Sequence, residues 1–109
     1  MASILLLLTS SPASPTGQRA LSLAESLADQ GHLLTLCCLQ DATLLGSDRS
    51  PREARSSLER LLERGARCLV LGEDLACRGL APAHGAKTVN HAGVVDLLGR
   101  AYHRLIGAL

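Results

Sequence analysis

The stretch ILLLLTSSPASPTG, residues 4–17, decides the fold of this chain. It opens with a continuous apolar run, Ile4 to Leu8, which ends in a loop rich in serine and proline. Such a run is typical of a strand that is buried on both faces of a parallel sheet. Beyond the loop, apolar residues recur at the spacing of one helix face, at Ala20, Leu23, Ala24 and Leu27. Gly31 follows where a helix would stop, so the sequence predicts a strand, a loop and a helix in succession.

The same alternation continues along the chain. The apolar run Leu33 to Leu39 predicts a second strand, and the polar segment Gln40 to Ser50 predicts a loop. Ser50 is placed as an N-cap before Pro51 at the first helical position. This pair predicts a second helix that ends at Gly65.

Two further short strands are predicted in the second half of the chain, at Cys68 to Leu71 and at Lys87 to Asn90. Gly72 breaks the first of them, and a short polar segment follows from Glu73 to Arg78. Gly79 ends that segment.

Two interpretations stay open at the end of the sequence. Val94, Leu97, Leu98 and Ala101 have helical spacing. The segment Tyr102 to Leu109 either extends this helix or forms a final strand. The pair Leu105-Ile106 favours the strand.

Strands that alternate with helices predict an α/β fold, in which helices cover both faces of a parallel sheet. A length of 109 residues is enough for one domain, residues 1–109, and not for two. In such sheets ligands bind at the loops that leave the carboxyl ends of the strands. The segments at this edge are Thr9 to Gly17, Gln40 to Ser50, Gly72 to Gly79 and Asn90 to Gly93.

Composition argues against several classes of partner. The net charge of +1 lacks the basic excess that nucleic-acid binding requires. Tyr102 is the single aromatic residue, so the chain offers little surface on which a flavin or a nucleobase can stack. No apolar run approaches the ~18 residues of a membrane span, and Ile4 to Leu8 is too short for a signal peptide. We therefore expect a cytoplasmic protein with no direct nucleic-acid or membrane partner.

The cysteines are Cys37, Cys38, Cys68 and Cys77. They form no C-x-x-C pair, and the adjacent Cys37 and Cys38 point to opposite faces of a strand, so we expect reduced thiols. Cys77 lies in a polar loop beside Arg78, whose charge favours the thiolate that nucleophilic sulfur chemistry requires. Cys77 is therefore the candidate catalytic residue, with Arg78 as the stabiliser of its thiolate. The other three lie in apolar runs, where cysteine usually acts as a small hydrophobic residue.

No cofactor or metal is expected. The histidines, His32, His84, His91 and His103, show no metal-ligand spacing. The loop Thr9 to Gly17 lacks both a Walker ending and a G-x-G-x-x-G pattern. It is interpreted either as a capped loop packed in an interface or as the anion-binding turn of a small flavodoxin-like nucleotide domain.

Several segments together resemble one family. They are Ala28-Asp29-Gln30-Gly31-His32 leading into Leu33 to Leu39 and Gln40-Asp41, then Leu69-Val70-Leu71-Gly72-Glu73-Asp74-Leu75, and Arg78-Gly79-Leu80. With the opening strand and loop, they resemble the DsrE/DsrF/DsrH group, which includes the TusB, TusC and TusD subunits of the bacterial sulfur relay. The resemblance implies a three-layer α/β/α sandwich with a mostly parallel five-stranded sheet. It also implies homo- or hetero-oligomers of related subunits, and persulfide transfer between donor and acceptor proteins toward tRNA thiolation or sulfur oxidation.

The sequence departs from this family at one functional position. The DsrE/TusD-type members carry the persulfide cysteine eight residues before the Gly of the Arg-Gly pair, where this chain has Leu71. The chain therefore resembles the TusB/DsrH type most closely around this loop. Two hypotheses stay open: an assembly subunit whose partner chains perform the chemistry, and a sulfurtransferase that uses Cys77.

Overall fold

The computed structural model describes residues 2–99 and 104–108. Strands and helices alternate along them in this order: β1 (Ser3–Leu8), α1 (Pro15–Asp29), β2 (Leu33–Cys38), a 3₁₀ helix (Gln40–Leu44), α2 (Arg52–Glu63), β3 (Arg67–Leu71), α3 (Gly72–Cys77), β4 (Ala86–Val89), α4 (His91–Gly99) and β5 (Arg104–Ala108). The predicted strands and the first two helices are all present. The polar segment after β3 forms the short helix α3, and the 3₁₀ helix lies inside the predicted second loop.

The strands form one five-stranded sheet in the order β4-β3-β2-β1-β5. Each neighbouring pair is parallel, with Leu6 opposite both Leu36 and Ile106 in the register. The predicted α/β class is confirmed, and the described sheet is parallel throughout.

Side chains alternate between the two faces of the sheet, and each face is covered by helices. On one face, Leu6, Leu36 and Val70 pack into the core with residues of α1 and α2. On the other face, Leu5 and Leu69 pack with Leu97 of α4. Burial on both faces explains the continuous apolar runs of the central strands, because alternate residues of each strand enter different cores. The layers are therefore α/β/α.

The start of α2 differs from the prediction. Pro51, with ψ 148, is the N-cap, and the helix begins at Arg52. The hydroxyl of the buried Ser50 has no hydrogen-bond partner in the part of the chain that the structure describes. The prediction of Ser50 as the N-cap is wrong, because the extended Pro51 moves the first helical turn one residue beyond the reach of this hydroxyl.

The final segment is a strand over Arg104–Ala108, which confirms that interpretation for these residues. Ala101, Tyr102, His103 and Leu109, which also entered the two interpretations or the list of histidines, lie outside the described residues. Among the helices of the described ranges, none has the length and apolar character that crossing a membrane requires.

The connections define one crevice at the carboxyl edge of the sheet. The helix that follows β3 contributes Leu75 to the core shared with α1 and α2, whereas the helix that follows β4 contributes Leu97 to the opposite face. Adjacent strands whose connections leave to opposite faces open a crevice between their ends. In this protein it lies between β3 and β4.

Candidate functional site

The short helix α3 lies at this edge and begins directly at the end of β3, with no loop between them. Leu75 anchors it in the core with 2% exposure. The remaining residues of α3 are half-buried or exposed, so its polar side chains lie at the surface of the edge.

One side of α3 is bound to the turn that follows β2. The backbone N–H of Gln40 donates to Oδ2 of Asp74 at 2.6 Å. Nη2 of Arg78 donates to Oδ1 of Asp41 at 3.2 Å, and Nη1 of the same guanidinium lies 3.9 Å from Oδ1 of Asp74. Gln40 has φ 52, in the left-handed region that a glutamine rarely adopts. The Asp74 contact helps to hold this strained residue in place.

The other side of α3 is bound to α4 across the crevice. Oε1 of Glu73 and Nδ1 of His91 form a hydrogen bond of 2.8 Å. Asn90 caps α4, because its Oδ1 accepts from the backbone N–H of Gly93 at 2.7 Å. Through these hydrogen bonds and ion pairs, α3 contacts the turn after β2 on one side and α4 on the other.

Cys77 is the last residue of α3 and is exposed. The neighbouring Arg78 makes its ion pairs with Asp41 and Asp74. The structure therefore shows that Cys77 is accessible at the end of α3. Its reactivity and the role of Arg78 as its partner stay predictions.

The other cysteines, Cys37, Cys38 and Cys68, are buried. Burial raises the pKa of the Cys37 thiol to about 11, with a smaller contribution from Cys68. A hydrogen bond with Cys68, and then burial, raise the pKa of the Cys38 thiol well above its ordinary range. Thiols that resist ionisation are poor nucleophiles, so Cys37 and Cys38 suit packing rather than sulfur transfer.

The loop between β1 and α1 closes on itself. Oγ of Ser14 accepts from the backbone N–H of Gly17 at 3.0 Å and donates to the carbonyl oxygen of Ser11 at 2.6 Å. Gly17 is packed so closely that a Cβ there would lie 1.9 Å from the Ser11 oxygen. These contacts confirm that the loop is capped, whereas its packing in an interface and the alternative of anion binding stay predictions.

Two solved structures share the fold over nearly the whole chain. The crystal structure of the ychN protein from E. coli matches with a TM-score of 0.82 at 19% sequence identity, covering 98% of this chain and 99% of that chain. The fold is DsrE-like. MTH1491, a protein of unknown function from Methanobacterium thermoautotrophicum, matches with a TM-score of 0.73 at 16% identity, covering 95% of this chain and 99% of that chain. No protein-family model matches the sequence, and no curated protein matches it.

Within this DsrE-like fold, Leu71 occupies the end of β3 and directly precedes α3. Its side chain is 4% exposed. Leu71, which the resemblance equates with the cysteine of the DsrE/TusD-type members, is therefore a packed apolar residue. The closer assignment to the TusB/DsrH type stays a prediction.

The sequence predicted which segments lie at the carboxyl edge of this DsrE-like sheet. It did not predict which residues of those segments contact each other. The bond of Asp74 to Gln40, the ion pair of Arg78 with Asp41, and the pair Glu73–His91 join residues far apart in sequence. One feature of the sequence indicated these contacts, namely that each residue lies in a segment that follows a strand. In residues 2–99 and 104–108, no group of three potential ligands is arranged to hold a metal ion.

Proposed function

We propose that this protein is a DsrE-like subunit of an oligomeric sulfur-relay complex in the cytoplasm, acting in tRNA thiolation or sulfur oxidation. The observation that carries the proposal is Leu71 at the end of β3 in an otherwise complete DsrE-like fold. The chain keeps the scaffold and lacks the thiol at that position. Related partner subunits then carry the persulfide, as in a TusB/DsrH-type arrangement.

Three exposed apolar side chains on α4 and β5 support the assembly role. Val95 and Leu98 of α4 are 67% and 46% exposed, and Leu105 of β5 is 54% exposed. Exposed apolar side chains of this size, when they are close together, commonly mark subunit contacts. The α4 side of the sheet is therefore the expected interface with a second copy or a related subunit.

Sedimentation velocity at tens of micromolar tests the assembly, first with the chain alone and then mixed with the DsrE-like subunits of its own host. We expect a species larger than 11.4 kDa in at least one of these samples. Val95→Lys should shift it toward the monomer, because a charge in an apolar interface is costly to desolvate. Leu23→Lys on α1 is the matched control and should leave assembly unchanged. A monomer in every sample would overturn the assembly role.

A second candidate function is sulfur transfer by this chain itself, and the exposure of Cys77 favours it. The Cys77 thiolate would attack the outer sulfur of a donor persulfide, R–S–SH. The S–S bond of the donor breaks as a new S–S bond forms, giving Cys77–S–SH and the donor thiolate R–S⁻. Atoms and charge balance without an external oxidant.

Intact-mass analysis after incubation with a persulfide donor separates the two candidates. A gain of about 32 Da that Cys77→Ser abolishes would assign sulfur transfer to this chain. No gain in the native chain, together with loading of a partner subunit in the mixture, would support the assembly role. A gain that persists in Cys77→Ser would exclude Cys77 as the carrier.

A further inference from the structure

The sheet has two outer strands, β4 and β5, and in the part of the chain that the structure describes each of them has a neighbouring strand on one side only. β5 pairs with β1 along its whole length, from Arg104 to Ala108. Backbone N–H and C=O groups point alternately to the two sides of a strand, so half of those in β5 point away from β1. No backbone hydrogen bond within residues 2–99 and 104–108 reaches this outer side. It is therefore a row of donors and acceptors that suits another strand.

The two outer strands differ in their protection against such pairing. Natural proteins keep outer strands short or place a lysine on them. β4 has four residues, and its Lys87 is exposed. β5 has the sequence RLIGA, in which only Arg104 is charged, and its Leu105 is 54% exposed. Because β5 is apolar and lacks a charge within it, β5 is the edge that we expect to bind another strand.

Symmetry and charge indicate which strand fits this edge. Pairing of β5 with β4 of another copy would leave one unprotected β5 open, whereas pairing of two β5 strands about a two-fold axis leaves only the protected β4 edges. The β5 pair is antiparallel, and with the axis at Ile106, Leu105 lies opposite Gly107 of the second copy. Leu105 is on the α4 face of the sheet and then packs over a residue without a side chain. The two Arg104 side chains lie at opposite ends of the pair, so like charges do not meet.

We propose that β5 pairs with β5 of a second copy of this chain, antiparallel about a two-fold axis at Ile106, so that two five-stranded sheets join edge to edge. The contact is made by backbone hydrogen bonds, which distinguishes it from the side-chain packing expected on α4. The inference rests on the assembly part of the proposed function and does not depend on sulfur chemistry. Each chain contributes five residues, so the contact is small and the dimer is weak, with a Kd of about 1–100 µM.

Disulfide trapping with oxidised glutathione tests the pairing and its register in the full chain. Ile106→Cys, in a Cys77→Ser background, places two thiols directly opposite each other, where the Cα atoms of an antiparallel pair lie about 4.5–5.5 Å apart and a disulfide fits. Leu105→Cys in the same background is the matched control, because its two thiols lie at diagonal positions about 7–8 Å apart. We expect Ile106→Cys to form the covalent dimer at least about tenfold faster, although Leu105 is the more exposed residue.

Hydrogen exchange of the unsubstituted chain tests the same contact without any substitution. The amides of β5 should exchange at least about fivefold more slowly at about 500 µM protein than at about 1 µM, and those of β4 should not change. Trapping of Leu105→Cys as fast as Ile106→Cys, or exchange of β5 that is independent of concentration, would overturn the pairing. If sedimentation still shows an oligomer in that case, the assembly role stands without β5, whereas a monomer in every sample rejects both.

Discussion

Oδ2 of Asp74 accepts a hydrogen bond of 2.6 Å from the backbone N–H of Gln40, which joins α3 to the turn after β2. The carboxylate therefore contacts the residue whose backbone is strained, at φ 52. A charged acceptor forms one of the stronger hydrogen bonds to a backbone N–H. The order of the carboxyl edge depends on this contact, because α3 is only six residues long and needs tertiary support.

Asp74→Ala should lower the free energy of unfolding by about 1 kcal/mol, because it removes a charge-assisted bond to an exposed N–H that water can then solvate. Urea unfolding followed by circular dichroism measures the change. Asp96→Ala, in the exposed part of α4, is the control and should stay within about 0.5 kcal/mol. Equal stability of the two variants would contradict this role of Asp74.

Gly17→Ala should destabilise the protein by about 1–3 kcal/mol or more, although alanine is the better helix former. The reason is steric, since the added Cβ would lie 1.9 Å from the Ser11 carbonyl oxygen. Thermal unfolding measures the effect. At Gly99 nothing lies within 4 Å of an added Cβ, so Gly99→Ala should be neutral or stabilising. A stabilised Gly17→Ala variant would show that the loop does not close as described.

Cys77 should be alkylated at least ~100-fold faster than Cys37, Cys38 or Cys68 in the folded protein. The difference follows from exposure, because Cys77 is at the surface and the others are in the core. Peptide mapping against time measures the rates, and labelling in denaturant should make them similar. If Cys77 reacts as slowly as Cys68 in the folded chain, it is covered by an interface. Cys77 would then be excluded as the residue that carries out sulfur transfer.

The protein should lose stability in alkali through Cys37. Burial raises the pKa of this thiol from 9.0 to about 11, so the protonated form is favoured in the folded state. The resulting stabilisation is fully present below about pH 9 and is lost as the pH rises through about 11, an effect of roughly 2–3 kcal/mol. Denaturant unfolding between pH 8 and pH 11, in a reductant, measures it.

Cys37→Ala should reduce this alkaline loss by the share of Cys37 and leave the share of Cys38, whose pKa is also raised, whatever the effect of the substitution at neutral pH. Cys77→Ala is the control and should keep the loss, because Cys77 is exposed. Identical pH profiles for Cys37→Ala and the unsubstituted chain would assign the alkaline transition to other groups.

Apolar periodicity alone determined the layers of this protein. The runs that begin at Ile4, Leu33 and Cys68 became the three central strands, because only a strand covered on both faces buries most residues of such a run. Leu33, at the open end of β2, is the exception and is 51% exposed. Gly31 ended the first helix as predicted, since its φ of 85 suits a residue without a Cβ. These features are local, so the sequence records them directly.

Tertiary structure decided the features that depend on distant partners. The segment Arg104–Ala108 is a strand because it pairs with β1, and neither of its sequence patterns contained that information. Ser50 failed as a cap because Pro51 adopts an extended backbone in the packed loop. Asp74 meets Gln40, and Glu73 meets His91, only because parallel strands bring their carboxyl ends to one edge. Local propensity acts over a few residues, whereas these contacts exist only once the chain has packed.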